Sequence, residues 1–211
     1  GLDIAFSHNS FYQIHSEQCE VLYGLAKKML DLKETDTVLD TYCGVGTIGL
    51  TMTDSCKKVM GVEVNPDAIE NAKYNAKQNK IKNIEFVAMD STEFMRQARK
   101  YHNHYDAIIM DPPSYGRGPK GEIWKIEDAI HPLIKLCTQI LSDDPLFFLV
   151  NSYTTGLAPA VLTYMLGTEL KKWNGHVDSQ EIGLPVKETG LVLPCGASGR
   201  WSSSLHPHTD L

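Results

Sequence analysis

At 211 residues, 42% hydrophobic and 22% charged, the chain has the size and composition of one globular α/β domain with a sizeable core. A formal net charge of -6 excludes a global basic footprint for nucleic acid and leaves room only for a local basic patch. There is no long apolar span, no secretory leader and no C-x-x-C among the five cysteines, so membrane, disulfide and metal roles are not expected and a reduced, cytoplasmic protein is.

The first 36 residues read as an extension carrying a helical stretch, Ser16–Leu30, placed to cover the site that follows. Strand candidates then come at Thr37–Leu39, Lys58–Val64, Ile84–Met89, Tyr105–Met110, Leu146–Val150, Val177–Ile182 and Gly190–Leu193. Helical patterns separate them at Gly46–Ser55, Pro66–Asn79, Thr92–Lys100, Trp124–Leu141 and Pro159–Lys172. Pro66 suits a first helical turn, where its missing N–H costs nothing. Such alternation predicts a Rossmann-like, doubly wound sheet with helices on both faces. One domain is expected over 37–201, followed by a flexible tail over 202–211, in which His206 and His208 read as solvated residues.

Ligands of such sheets bind beyond the carboxyl ends of the strands, and this sequence puts its carboxylates there. The first four strands close on Asp40, Glu63, Asp90 and Asp111. Asp40 precedes a turn containing Gly44, Gly46 and Gly49, whose glycines permit positive φ and close approach of a ligand to the main chain. A carboxylate at that position repels a pyrophosphate and holds the ammonium of a methionine moiety. The pattern therefore points to S-adenosylmethionine more than to a dinucleotide. The literal Gly44-x-Gly46-x-x-Gly49 also matches the nicotinamide fingerprint, so an oxidoreductase is the first alternative. Glu63, roughly twenty residues beyond the turn, suits ribose hydroxyls. Asp90 suits either an adenine amine or the N-cap of the next helix. Asp111-Pro112-Pro113 stiffens the exit of the fourth strand and presents its carboxylate rigidly.

These residues resemble a known family. From about Phe6 to Asp111 the chain is similar to the bacterial 23S rRNA uracil-5-methyltransferases, through Ser10-Phe11-Tyr12-Gln13, Glu17-Gln18, Asp40-Thr41-Tyr42-Cys43-Gly44-Val45-Gly46-Thr47, Gly61-Val62-Glu63 and Asp111-Pro112-Pro113. The resemblance implies cofactor contacts at Gln13, Tyr42, Glu63, Asp90 and Asp111, and an antiparallel last strand in a seven-stranded sheet. From Asp111 to Trp201 the chain instead resembles the branch related to the rRNA large-subunit cytosine-5-methyltransferases, through Asp111-Pro112-Pro113-Ser114-Tyr115-Gly116-Arg117-Gly118-Pro119-Lys120-Gly121-Glu122-Ile123-Trp124 and Leu193-Pro194-Cys195-Gly196-Ala197-Ser198-Gly199-Arg200-Trp201. The Ser-Cys-Asn-Pro nucleophile segment of the uracil enzymes is replaced by Asn151-Ser152-Tyr153-Thr154, and a chain without their amino-terminal RNA-binding module is expected. A natural mosaic, a fragment and a divergent family all fit this division.

Methylating a pyrimidine carbon calls for a nucleophile, and Cys195 is the candidate, with a small packed residue as its plain alternative. Cys19, Cys43 and Cys137 read as packing residues. Methyl transfer to nitrogen or oxygen asks only for alignment and a proton acceptor, a role open to Asp111. Tyr115, Arg117 and Lys120, with Trp124 and Lys125, make a basic and aromatic stretch suited to phosphates and an unstacked base, or else a glycine-rich solvated loop. The expectation is an S-adenosylmethionine-dependent methyltransferase acting on RNA, with an rRNA base favoured. The alternatives are a cofactor-binding domain or fragment without activity, and the oxidoreductase.

Overall fold

Continuous apolar runs along the short strands set the architecture, because a strand buried on both faces must carry apolar side chains at odd and even positions alike. The computed structural model describes residues 2–5, 32–117, 123–154 and 156–204. Its order is β1 (Thr37–Thr41), α1 (Thr47–Met52), β2 (Lys58–Glu63), α2 (Pro66–Gln78), β3 (Ile84–Ala88), α3 (Ser91–Lys100), β4 (Ala107–Met110), β5 (Tyr115–Arg117), β6 (Ile123–Lys125), α4 (Ile126–Cys137), β7 (Phe147–Ser152), α5 (Pro159–Glu169), β8 (Gly175–Pro185) and β9 (Val192–Ser203). In β4, Ile108 and Met110 enter a core with Leu39, Phe148 and Val150, while Ala107 and Ile109 enter another with Val38 and Phe147. Helices α3, α4 and α5 cover the first face. Met52 of α1 lies on the second.

Seven strands form one sheet in the order β3-β2-β1-β4-β7-β9-β8. β1 pairs in parallel with both β2 and β4, so the strand order reverses there, and the crevice of a doubly wound sheet opens beyond that point. β9 runs antiparallel to β7 and β8, as the resemblance implies. Among the described residues no helix is long and apolar enough to cross a membrane.

Several boundaries differ from the sequence reading. The last strand does not stop at Leu193 but runs from Val192 to Ser203. Its middle, Cys195-Gly196-Ala197-Ser198-Gly199, lacks the bulky β-formers that mark a strand because its neighbours leave no room for them. A Cβ on Gly196 would collide with the Ser152 carbonyl, and one on Gly199 would lie 2.8 Å from Leu162 Cβ. Ser202 and Ser203, placed in the tail by sequence, are buried in this strand; His206 and His208 lie outside the described residues. The helix expected from Trp124 begins at Ile126, since Ile123–Lys125 pairs antiparallel with Tyr115–Arg117 as a separate hairpin. The helix expected at Ser16–Leu30 lies outside the described residues.

The segment before β1 is tied to the turn after it. Asn75 of α2, fully buried, accepts the Ala5 N–H at 2.7 Å and donates to the carbonyls of Ala5 (2.9 Å) and Val45 (3.2 Å). Val45 lies between the two glycines of the turn.

Candidate functional site

The turn after β1 departs from regular structure at three residues: Tyr42, Gly44 and Gly46 have φ of 61°, 55° and 83°. Gly46 is doubly constrained, because a Cβ there would also stand 2.8 Å from the Phe86 ring. Gly44 faces open space, with nothing within 4 Å of an added Cβ, and its N–H donates to Glu63 Oε2 at 3.2 Å. The other Glu63 oxygen accepts the Asn65 N–H at 2.9 Å, which fixes the carboxylate between the turn and the start of α2. Each oxygen keeps a second lone-pair direction for a further donor.

Asp40 is a buried carboxylate near the end of β1. It is 1% exposed, and its Oδ2 accepts the Gly49 N–H at 2.8 Å. Its Oδ1 is buried with no hydrogen-bond partner among the described residues. Burial pushes the carboxyl from an ordinary 3.8 up to about 7; the Gly49 bond opposes this, and the nearby Asp111 and Glu63 charges add to it.

Asp111 follows β4, one position beyond Met110, which pairs with Thr41 of β1. It too has a buried Oδ1 with no partner among the described residues. Its Oδ2 accepts the Tyr153 hydroxyl at 3.4 Å. Burial raises its carboxyl to about 6, and the Tyr153 bond pulls the other way. Two partially satisfied carboxylates, the buried Asp40 and the half-buried Asp111, therefore flank the strand reversal. A buried carboxylate oxygen without a partner is costly, and both positions can accept a cation or a hydrogen-bond donor.

The remaining candidates separate into three groups. Asp90 is exposed and caps α3, accepting the Glu93 N–H at 3.0 Å, which is the capping alternative raised by its position. Tyr42 lies against the larger core, and burial pushes its hydroxyl well up, opposed by a hydrogen bond with Ser91. Cys43 and Cys137 are buried, with thiols raised by desolvation, as packing residues would be. Cys195 is partly exposed on β9, its thiol donating to the Leu193 carbonyl at 3.3 Å. It stands two residues before Ala197, which pairs with Ser152 at the end of β7, so it lies past the carboxyl edge of the sheet. Tyr115 is exposed on the β5–β6 hairpin, and Arg117 pairs with Ile123 through the backbone. Gln13, Cys19 and Lys120 lie outside the described residues.

Tyr153 was not found from sequence. Three residues past Val150, it fell in a segment read only for the cysteine it lacks. The usable signal was its place at the end of the strand beside β4, the same rule that found the carboxylates.

Comparison with known proteins fits this geometry. A family model described as a methyltransferase domain matches residues 32–144, over half of the chain. A Staphylococcus aureus protein named an uncharacterised RNA methyltransferase is 46% identical over 110 residues, 52% of this chain and 24% of that protein. A Clostridium tetani protein of the same description is 30% identical over 191 residues, 90% of this chain and 40% of that protein. The chain thus spans between a quarter and two fifths of the length of these curated relatives. Among solved structures, a SAM-dependent methyltransferase from Agrobacterium tumefaciens superposes with a TM-score of 0.77 at 24% identity, covering 95% of this chain and 65% of that one. On the extent of the family match, this chain belongs to the methyltransferase-domain family.

Proposed function

We propose that this chain is the catalytic domain of an S-adenosylmethionine-dependent methyltransferase that modifies RNA, with a base of ribosomal RNA as its target. S-adenosylmethionine is the cofactor, and when bound it supplies an electrophilic methyl group on a sulfonium. The observation that carries this reading is the pair of carboxylates Asp40 and Asp111 at the strand reversal, each with a buried Oδ1 that has no partner among the described residues. The donor set fits the group: Asp40 answers an ammonium, the open backbone at Gly44 admits a ligand, and Glu63 retains acceptor directions for ribose hydroxyls. A pyrophosphate meets only repulsion at Asp40, which sets aside the nicotinamide alternative. Gln13 and Tyr42 complete the pocket on the strength of the resemblance to the uracil enzymes. Asp90 keeps one carboxylate oxygen for the cap and offers the other to an adenine amine.

Asp111 orients the acceptor and takes the proton it loses. With its carboxyl at about 6, it is largely ionised at neutral pH yet basic enough to accept a proton. Tyr153 is a positioning residue, holding one Asp111 oxygen so that the other faces its target. This arrangement favours a nitrogen or oxygen acceptor, whose lone pair needs alignment rather than activation. Carbon methylation is the second reading, favoured by Cys195, the one described cysteine that is not buried. RNA as substrate is supported by the names of the relatives and by the aromatic and basic residues Tyr115, Arg117 and Lys120 of the sequence.

Calorimetric titration with S-adenosylhomocysteine, with NADH as control, tests the reading. Saturable binding of the first alone is expected; heat from NADH alone, or from neither in a folded protein, overturns it. Cofactor binding without methyl transfer to RNA would leave a binding module. Replacing Cys195 by Ala then separates the acceptors: transfer is retained for nitrogen or oxygen and lost for carbon, with cofactor affinity unchanged either way.

A further inference from the structure

A groove lies between α3 and α4, away from the two carboxylates. The buried Leu133 and half-buried Leu136 form its apolar floor, and Trp124, Pro132, Arg96 and Lys135 also line it. Both cations are exposed, whereas Trp124 is half-buried. The acids of these helices, Glu93, Glu127 and Asp128, occupy their first turns. No carboxylate lines the groove among the described residues, although the chain as a whole carries a net charge of -6.

Its position relates it to the reaction centre. Thr92, at the upper end of the groove, lies in the first turn of α3, two residues after the strand-closing Asp90. Trp124 Nε1 donates to the Pro113 carbonyl at 2.7 Å, two residues after Asp111. The indole is thus fixed to the rigid strand exit that presents Asp111. From Ala129 to Leu136 the groove follows α4 for about 10 Å, at 1.5 Å of rise per residue, and Gln139 lines it just beyond the end of that helix.

We infer that this groove binds an unpaired RNA nucleotide flanking the one that is methylated, with its base against Trp124 and the apolar floor and its phosphates at Arg96 and Lys135. The inference rests on RNA being the substrate. An aromatic ring and two cations lining one groove answer the two chemistries of a single strand: bases stack on rings whatever their identity, and phosphates meet positive charge. An acid-free strip on an acidic protein would also steer the strand toward the crevice.

The test is fluorescence anisotropy of a labelled, mixed-sequence single-stranded RNA titrated with the full chain and with the double variant Arg96→Glu/Lys135→Glu, at several salt concentrations. Both positions are exposed, so the fold tolerates the change, and S-adenosylhomocysteine affinity measured in parallel should stay the same. Binding should weaken by about tenfold or more, and the log–log salt slope should fall by about 1.4, the loss of two phosphate contacts on a single strand. A double variant that binds RNA like the parent, with the same slope, overturns the groove and leaves the methyltransferase reading intact. A parent that binds cofactor but no RNA overturns the substrate and this inference together. Equal affinity for a duplex would show that the groove does not read an unpaired nucleotide.

Discussion

The two halves of the carboxyl edge are built on opposite terms. Over β1 to β4 it is closed and charged: Asp40 is 1% exposed, Gly46 cannot take a side chain, and Glu63 is tied at both oxygens. Over β7 to β9 it is open and apolar: Leu191, Val192 and Leu193 are 68%, 63% and 56% exposed on a hairpin that runs past the end of β7. On the proposed reading, the first half holds the cofactor through backbone geometry. The second offers a surface that can change with the substrate, which is how one fold comes to serve many acceptors.

The sharpest way to break that contrast is to neutralise its charged half. Asp40→Asn keeps an acceptor for Gly49 but removes the counter-charge for an ammonium, so S-adenosylhomocysteine affinity should fall by about 100-fold or more in calorimetry, as when one partner of a buried ion pair is lost. The parent should also show a pH signature that the variant lacks. Because the folded carboxyl lies at about 7 against an ordinary 3.8, the folded chain holds this proton more tightly than the unfolded one. The stability from this group is full below about pH 4 and is lost as pH rises through about 7, while affinity for a cationic ligand grows over the same interval. Affinity that is flat between pH 5 and 8 would remove Asp40 from the pocket.

Gly46→Ala probes the geometry of the same half. A methyl at φ 83° that also meets Phe86 should cost about 2–3 kcal/mol and lower the unfolding midpoint measured by calorimetry. An unchanged midpoint would mean the turn is not the rigid element described.

Tyr153→Phe carries the smallest effect and asks whether the open half reaches the chemistry. Methyl transfer should fall by about tenfold with S-adenosylhomocysteine affinity preserved, roughly the value of one hydrogen bond to a charged group. Since the Tyr153 bond holds the Asp111 carboxyl down, its loss should move the acidic limb of the rate profile above about pH 6. A slower variant with an unmoved limb would make Tyr153 a packing residue.

Much of the closed half was legible in the sequence because its signals are local. Short apolar runs ended by Asp40, Glu63 and Asp111, with glycines where positive φ is needed, mark the strands and the crevice without any knowledge of tertiary contacts. The open half depends on neighbours. The strand from Val192 to Ser203 is held by pairing with both β7 and β8, and its glycines answer contacts with Ser152 and Leu162 that no local pattern reveals. The β5–β6 pairing was hidden for the same reason, with three residues per strand being too few to show a period. Asp90 shows the converse limit: a carboxylate at a strand end is also the natural cap of the helix that follows.

Asn75 couples two parts of the chain that sequence keeps 40 residues apart, Ala5 and Val45. A single fully buried amide serves both, so unlatching either strands polar atoms that the other needs. In hydrogen exchange, the Ala5 amide should then slow when ligand steadies the glycine turn. The leading segment thereby becomes a built-in reporter, and any trimming beyond Ala5 would silence it and loosen the turn at once.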